Sequence, residues 1–97
     1  MLDDRTKAEL KSTVFRFLDP GQVRIFVFGS RAFGNFSKFS DIDLGLEPKT
    51  KIADGVVSKI EEVFENSDLP YRVDVVDFAK VSANFRKVAM KNAVYLN

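Results

Sequence analysis

Two aspartates one residue apart, Asp41 and Asp43, follow a Gly29-Ser30 pair after a ten-residue interval, and a third acid, Asp74, lies further along the chain. Side chains two apart in a strand share a face, so Asp41 and Asp43 project together, roughly 6–7 Å apart at the backbone. Ile42 and Leu44 then turn the other way, into a core. Adjacent carboxylates repel, and each resists ionising beside the other. A divalent cation between them removes that penalty. Magnesium prefers hard oxygen ligands and uses one or two carboxylates together with substrate phosphates. For an isolated Asp-x-Asp, a solvated strand end with two acids is the plainer account.

The Gly29-Ser30 pair adds context. Glycine lets the chain turn sharply after a strand and lets a phosphate approach the backbone. Ser30 can start a helix whose free N–H groups and positive dipole end face an anion. An ordinary strand-to-helix turn with a serine cap would read the same way. The turn is neither the Gly-Lys-Ser/Thr phosphate loop nor the dinucleotide Gly-x-Gly-x-x-Gly. Asp74 lies within Tyr71-Arg72-Val73-Asp74-Val75-Val76-Asp77, and an acid flanked by valines in a strand is costly to bury unpaired. A site needing a third carboxylate accounts for it, and so does a salt bridge to Arg72 or a Lys. Asp77, at the end of that run, reads as a turn or cap residue.

The bulk properties narrow the chemistry. The chain has 97 residues, 45% of them hydrophobic and 30% charged, which suits one globular domain over residues 1–97. A chain this short buries only about two-thirds of its unfolded surface, and its ten Phe partly offset that. Cysteine and histidine are absent, so thiolate ligands, a Cys nucleophile and a His base are excluded. Carboxylates, hydroxyls, Lys and Arg must carry any reaction. A net charge of +1 shows no basic face for a polynucleotide and no pull toward acidic membranes. The opening Met1-Leu2-Asp3-Asp4-Arg5 has no apolar core of a secretory leader, and no apolar run approaches the ~20 residues of a membrane span. A cytoplasmic protein is expected.

The elements that must position these residues follow from periodicity. Residues 4–18 predict a helix, with Leu10, Val14, Phe17 and Leu18 on one face and Asp3 or Asp4 as its cap. Asp19-Pro20-Gly21 ends it. Val23–Phe28 predicts a strand, 31–40 a short helix start and a loop, and Ile42–Leu46 a second strand. Glu47-Pro48-Lys49 reads as a turn. Thr50 and Asp54 are candidate caps for a helix with Val56, Val57, Ile60, Val63 and Phe64 on its apolar face. A loop at 66–70, a strand at 71–76, and a final helix capped by Ser82 with Phe85, Val88 and Ala89 on one face complete the pattern. The expected fold is α/β (α+β), a small mixed sheet with helices packed on it.

Gly29-Ser30, ten residues, Asp41-Ile42-Asp43 and a later Val-Asp-Val-Val strand together resemble the nucleotidyltransferase superfamily related to DNA polymerase β. The wording Gly-Ser-Arg-Ala-x-Gly…Ser-Asp-Ile-Asp-Leu is similar to the minimal nucleotidyltransferases, across nearly the whole chain. One departure is Phe33, where relatives often carry a basic residue. The resemblance implies a polymerase-β palm-like fold, Asp41, Asp43 and Asp74 as ligands of two magnesium ions, and Asp74 also as the base. Gly29 and Ser30, with Arg31 and Lys38 assisting, would hold a nucleoside triphosphate. It further implies an antitoxin that moves AMP from ATP onto a tyrosine of a HEPN-domain toxin, in a hetero-oligomer with that toxin. Phe33, Phe36 and Phe39 would either dock the partner or pack onto the sheet. A non-catalytic antitoxin that masks its toxin is the alternative. Size and near-neutral charge disfavour a polynucleotide polymerase or tRNA-tailing enzyme.

Overall fold

Alternation along the strands sorts the side chains into two layers. A computed structural model describes residues 2–29 and 41–97. Among them the elements are α1 (Asp4–Val14), β1 (Val23–Phe28), β2 (Ile42–Pro48), α2 (Val56–Glu65), β3 (Val73–Asp77), α3 (Ala83–Met90) and β4 (Val94–Tyr95). The strands form one mixed sheet in the order β3-β2-β1-β4. β1 runs antiparallel to β2 and β4, while β2 and β3 are parallel. A parallel pair needs a crossover, and α2 supplies it.

On one side of the sheet Val23, Ile25 and Val27 of β1 meet Ile42, Leu44 and Leu46 of β2 and Val73 and Val75 of β3. Leu10 and Val14 of α1 and Ile60 and Phe64 of α2 cover them, and most of these side chains are fully buried. Burial of each such side chain contributes about 1.5–3 kcal/mol. The other side holds a smaller cluster, Phe26, Phe28 and Phe78, with Val76, Val81, Ala89 and Met90 packed around it. Gly45 faces Phe26 across the β1–β2 ladder, and a Cβ built there would run into the Phe26 ring. α3 crosses this side, buries none of its residues fully, and is tied to the sheet by an Arg86–Glu47 ion pair.

Several boundaries differ from the sequence reading. α1 is capped by Asp3, whose carboxylate accepts from Thr6 N at 2.8 Å, but it stops at Val14. The chain then tightens, with Arg16 N donating to Thr13 O and Phe17 N to Val14 O. β2 runs through Glu47 and Pro48 where a turn was expected. Val23 pairs with Pro48 on the β1 side, and the β3 ladder has already ended at Leu46–Asp77, so the missing proline N–H costs no sheet bond there. Gly55, not Thr50 or Asp54, stands at the N-cap of α2, and no side chain caps it. Ser82 caps α3 by accepting from Phe85 N at 3.1 Å. The third strand begins at Val73 rather than Tyr71 and ends at Asp77. The two-residue β4 is too short to show a period, and the sequence reading missed it.

Side chains also meet backbone groups of the outer strand β3 and of the part of β1 that the short β4 does not pair. Val75 N of β3 donates to Glu61 Oε2 of α2 at 3.2 Å. Beyond β4, the Asn97 side chain accepts from Ile25 N at 2.7 Å and donates to Val23 O at 2.9 Å. Among the described residues, no helix is long and apolar enough to cross a membrane.

Candidate active site

The site is built where β1 ends and β2 begins. Phe28 is the last residue of β1, and its register partner on β2 is Asp43. On the other side of β2, Asp43 is the register partner of Asp74 on β3. Neighbouring strands lie about 4.8 Å apart, and paired residues project to one face, so these two acids stand side by side. Asp41 immediately precedes β2 and is exposed. Ile42 N, next to it, donates to Arg72 O at 2.8 Å, which fixes the start of β2 against the residue before β3. Ile42 and Leu44 are fully buried on the opposite face, as the strand period requires.

Gly29 turns the chain directly beside this pair, with φ +74°. That backbone region disfavours L side chains. A Cβ at Gly29 would also collide with the Asp43 carboxylate. The glycine is therefore required both by its dihedral and by the acid next to it.

Electrostatics mark Asp43 as the centre. Burial, then Asp74, then Asp41 raise the Asp43 carboxyl above its ordinary value. Asp74 also has a cationic neighbour, Arg72 Nε at 3.2 Å from its Oδ1. Of the two sequence accounts of Asp74, the salt bridge to Arg72 is present, and the same residue stands in register with another acid, Asp43. Among the described residues, no three acids stand close enough to hold one ion as the side chains lie. The donors are all hard carboxylate oxygens, two of them in register beside a turn with no side chain. That set suits magnesium completed by phosphate oxygens.

Asp77 takes no part; its Oδ1 accepts from Ala79 N at 2.9 Å, the turn role expected of it. Ser30, Arg31 and Lys38 lie outside the described residues, as do Phe33, Phe36 and Phe39. The sequence reading missed the aromatic wall on the carboxylate face. Phe28, beside Asp43, has its ring centroid 5.1 Å from Phe78 and 6.0 Å from Phe85 of α3. The signal was available, because the period that sends Val23, Ile25 and Val27 to one core sends Phe26 and Phe28 to the other face.

Comparison with known proteins gives this arrangement a lineage. Over 67 residues the chain is 37% identical to the probable protein adenylyltransferase MntA of Haemophilus influenzae. That match takes in 69% of this chain and 59% of the relative, so the chain spans well under two-thirds of the relative's length. A solved toxin–antitoxin structure with AMP-PNP superposes with a TM-score of 0.73 at 20% identity, covering 92% of this chain and 71% of the other. A structure of a tri-AMPylated Shewanella oneidensis HEPN toxin in complex with MNT antitoxin gives 0.64 at 17% identity, covering 94% and 71%. At such identities the likeness is one of fold. Residues 20–97, which span the whole sheet and all three acids, match the family described as polymerase beta, nucleotidyltransferase, and the chain belongs to that family.

Proposed function

We propose that residues 1–97 act as one catalytic domain that moves AMP from ATP onto a hydroxyl of a partner protein. The acceptor in this reading is a tyrosine of a HEPN-domain toxin, which makes the chain an antitoxin working in a hetero-oligomer. The observation that carries the proposal is the Asp43–Asp74 register pair beside Gly29. Support comes from the family, from a relative named as a probable protein adenylyltransferase, and from the toxin–antitoxin structures that share the fold.

Asp41, Asp43 and Asp74 would hold two magnesium ions. When bound, these would neutralise phosphate charge and favour in-line displacement at the α-phosphorus, in which the acceptor oxygen bonds to phosphorus, the α–β anhydride bond breaks and pyrophosphate leaves. Gly29, lacking a side chain, leaves the backbone open to the triphosphate, and Ser30, with Arg31 and Lys38 assisting, would hold its β and γ phosphates. Asp74 accepts the proton of the attacking hydroxyl. Phe28, the buried register partner of Asp43, would limit water on that side of this one carboxylate. The cytoplasm, which holds ATP, is the compartment this chemistry requires.

The test mixes the chain with ATP, magnesium and its HEPN partner and reads intact masses. An AMP-sized gain on the partner, abolished by Asp43→Asn, is the expected result. One observation favours the second reading, a masking antitoxin without catalysis: no three described acids meet around one point. A tight complex with no mass gain would establish masking instead.

A further inference from the structure

We infer that Arg72 is an exchangeable counter-cation: it holds Asp74 while no divalent ion is bound, yields that carboxylate when one binds, and then turns to the phosphates of the nucleotide. The inference rests on the carboxylates being the metal site proposed above.

Four observations carry it. Arg72 Nε lies 3.2 Å from Asp74 Oδ1, so a guanidinium stands against an acid assigned to the metal. Among the described residues no other Lys or Arg pairs with Asp41, Asp43 or Asp74. The Arg72 side chain is 75% exposed and that of Asp74 is 37% exposed, and an ion pair this open is weak and easily exchanged. The Arg72 backbone is anchored, because its carbonyl accepts from Ile42 N at 2.8 Å. The side chain can therefore leave Asp74 without disturbing the start of β2.

The physical chemistry then sets the sequence of events. A guanidinium cannot shed its proton, so it remains a cation wherever it goes. A divalent ion carries twice its charge in a more compact form and binds two carboxylates at once, so it displaces the guanidinium from Asp74. The displaced cation remains at the end of the sheet that carries Asp41, because Arg72 O is bonded to Ile42 N, and it is there free to turn to a triphosphate. Its planar fork matches phosphate oxygens in a two-point contact.

The test measures Mn2+ affinity by electron paramagnetic resonance and Mg2+–AMP-PNP affinity by calorimetry, for the unmodified chain, Arg72→Gln, Arg72→Lys and Asp43→Asn. Arg72→Gln is expected to bind Mn2+ alone about two- to fivefold tighter, since it loses a weak competing pair. The same variant should bind the nucleotide complex at least about fivefold more weakly, since it loses a charge-assisted contact. Arg72→Lys keeps the charge but not the fork and should fall between. Unchanged Mn2+ affinity in Arg72→Gln, movement of both affinities in one direction, or Arg72→Lys matching the unmodified chain in both would overturn the proposal while leaving the metal site intact. If the unmodified chain binds Mn2+ no better than Asp43→Asn does, the metal-site reading fails and takes this inference with it.

Discussion

Asp43 is held in a setting that works against its own ionisation. Its carboxyl is raised above the ordinary 3.8 by burial, Asp74 and Asp41, in that order. A raised acid binds its proton more tightly in the folded chain than in the unfolded one. Its contribution therefore favours the fold at low pH and is lost as pH rises through that raised value. Asp43→Asn removes the ionised form, so without metal it should raise Tm at pH 7 and lose that advantage below about pH 4, where both forms are neutral. Differential scanning fluorimetry across pH, with EDTA present, checks this. Gly29→Ala meets both a left-handed backbone and the Asp43 carboxylate. It should cost about 1–3 kcal/mol in urea unfolding and abolish the proposed AMP transfer. At this scale the sequence was informative about placement: the spacing of Asp41 and Asp43 and the valines around Asp74 anticipated acids on adjoining strands, which the register of Asp43 with Asp74 shows. The dual position of Asp74, beside Asp43 and against Arg72, depends on strand pairing and could not be read from local pattern.

At the scale of elements, the periodic cores of α1, β1, β2 and α2 were legible because Leu10, Ile25, Leu44 and Ile60 recur with the right period. Their ends were less so. Val14 closes α1 early because Arg16 N and Phe17 N bond only three residues back, and β2 outruns a proline because no ladder bond falls on its nitrogen. Gly55 rather than Thr50 or Asp54 opens α2 because the chain enters the helix through a left-handed residue, φ +86°. Ser82 was readable as a cap, and its hydroxyl accepts from Phe85 N. Since α3 buries no residue fully, it depends on that cap more than a core helix would. Ser82→Ala should cost about 1 kcal/mol. Hydrogen exchange should show the loss as reduced protection confined to residues 83–90, with α1 and α2 unaffected.

At the scale of the molecule, one sheet separates an aliphatic core under α1 and α2 from a face shared by the carboxylates and the phenylalanine cluster. Gly45 is what allows that second cluster to lie against the strands, because the Phe26 ring occupies the space of its missing side chain. Gly45→Ala should destabilise the fold by about 1–3 kcal/mol, the range for overpacking a filled interior, as read by chemical denaturation. If α3 rides on this cluster, the same variant should also lower near-ultraviolet circular dichroism from the Phe26, Phe78 and Phe85 contacts. The mixed sheet was foreseeable from element order; its two-layer division was hidden in the alternation of β1.

Glu61 gives the molecule a safeguard at its margin. The outer strand β3 presents backbone donors to the outside, and such a margin invites a foreign strand to join. Glu61 already accepts from Val75 N, so an incoming strand meets an occupied donor and a negative charge. Val75 is the residue after Asp74, so an intruder pairing there would pull on the very segment that carries the third acid. A single glutamate thus guards the strand margin against fibre growth and keeps neighbours in a crowded cell from the segment that carries Asp74.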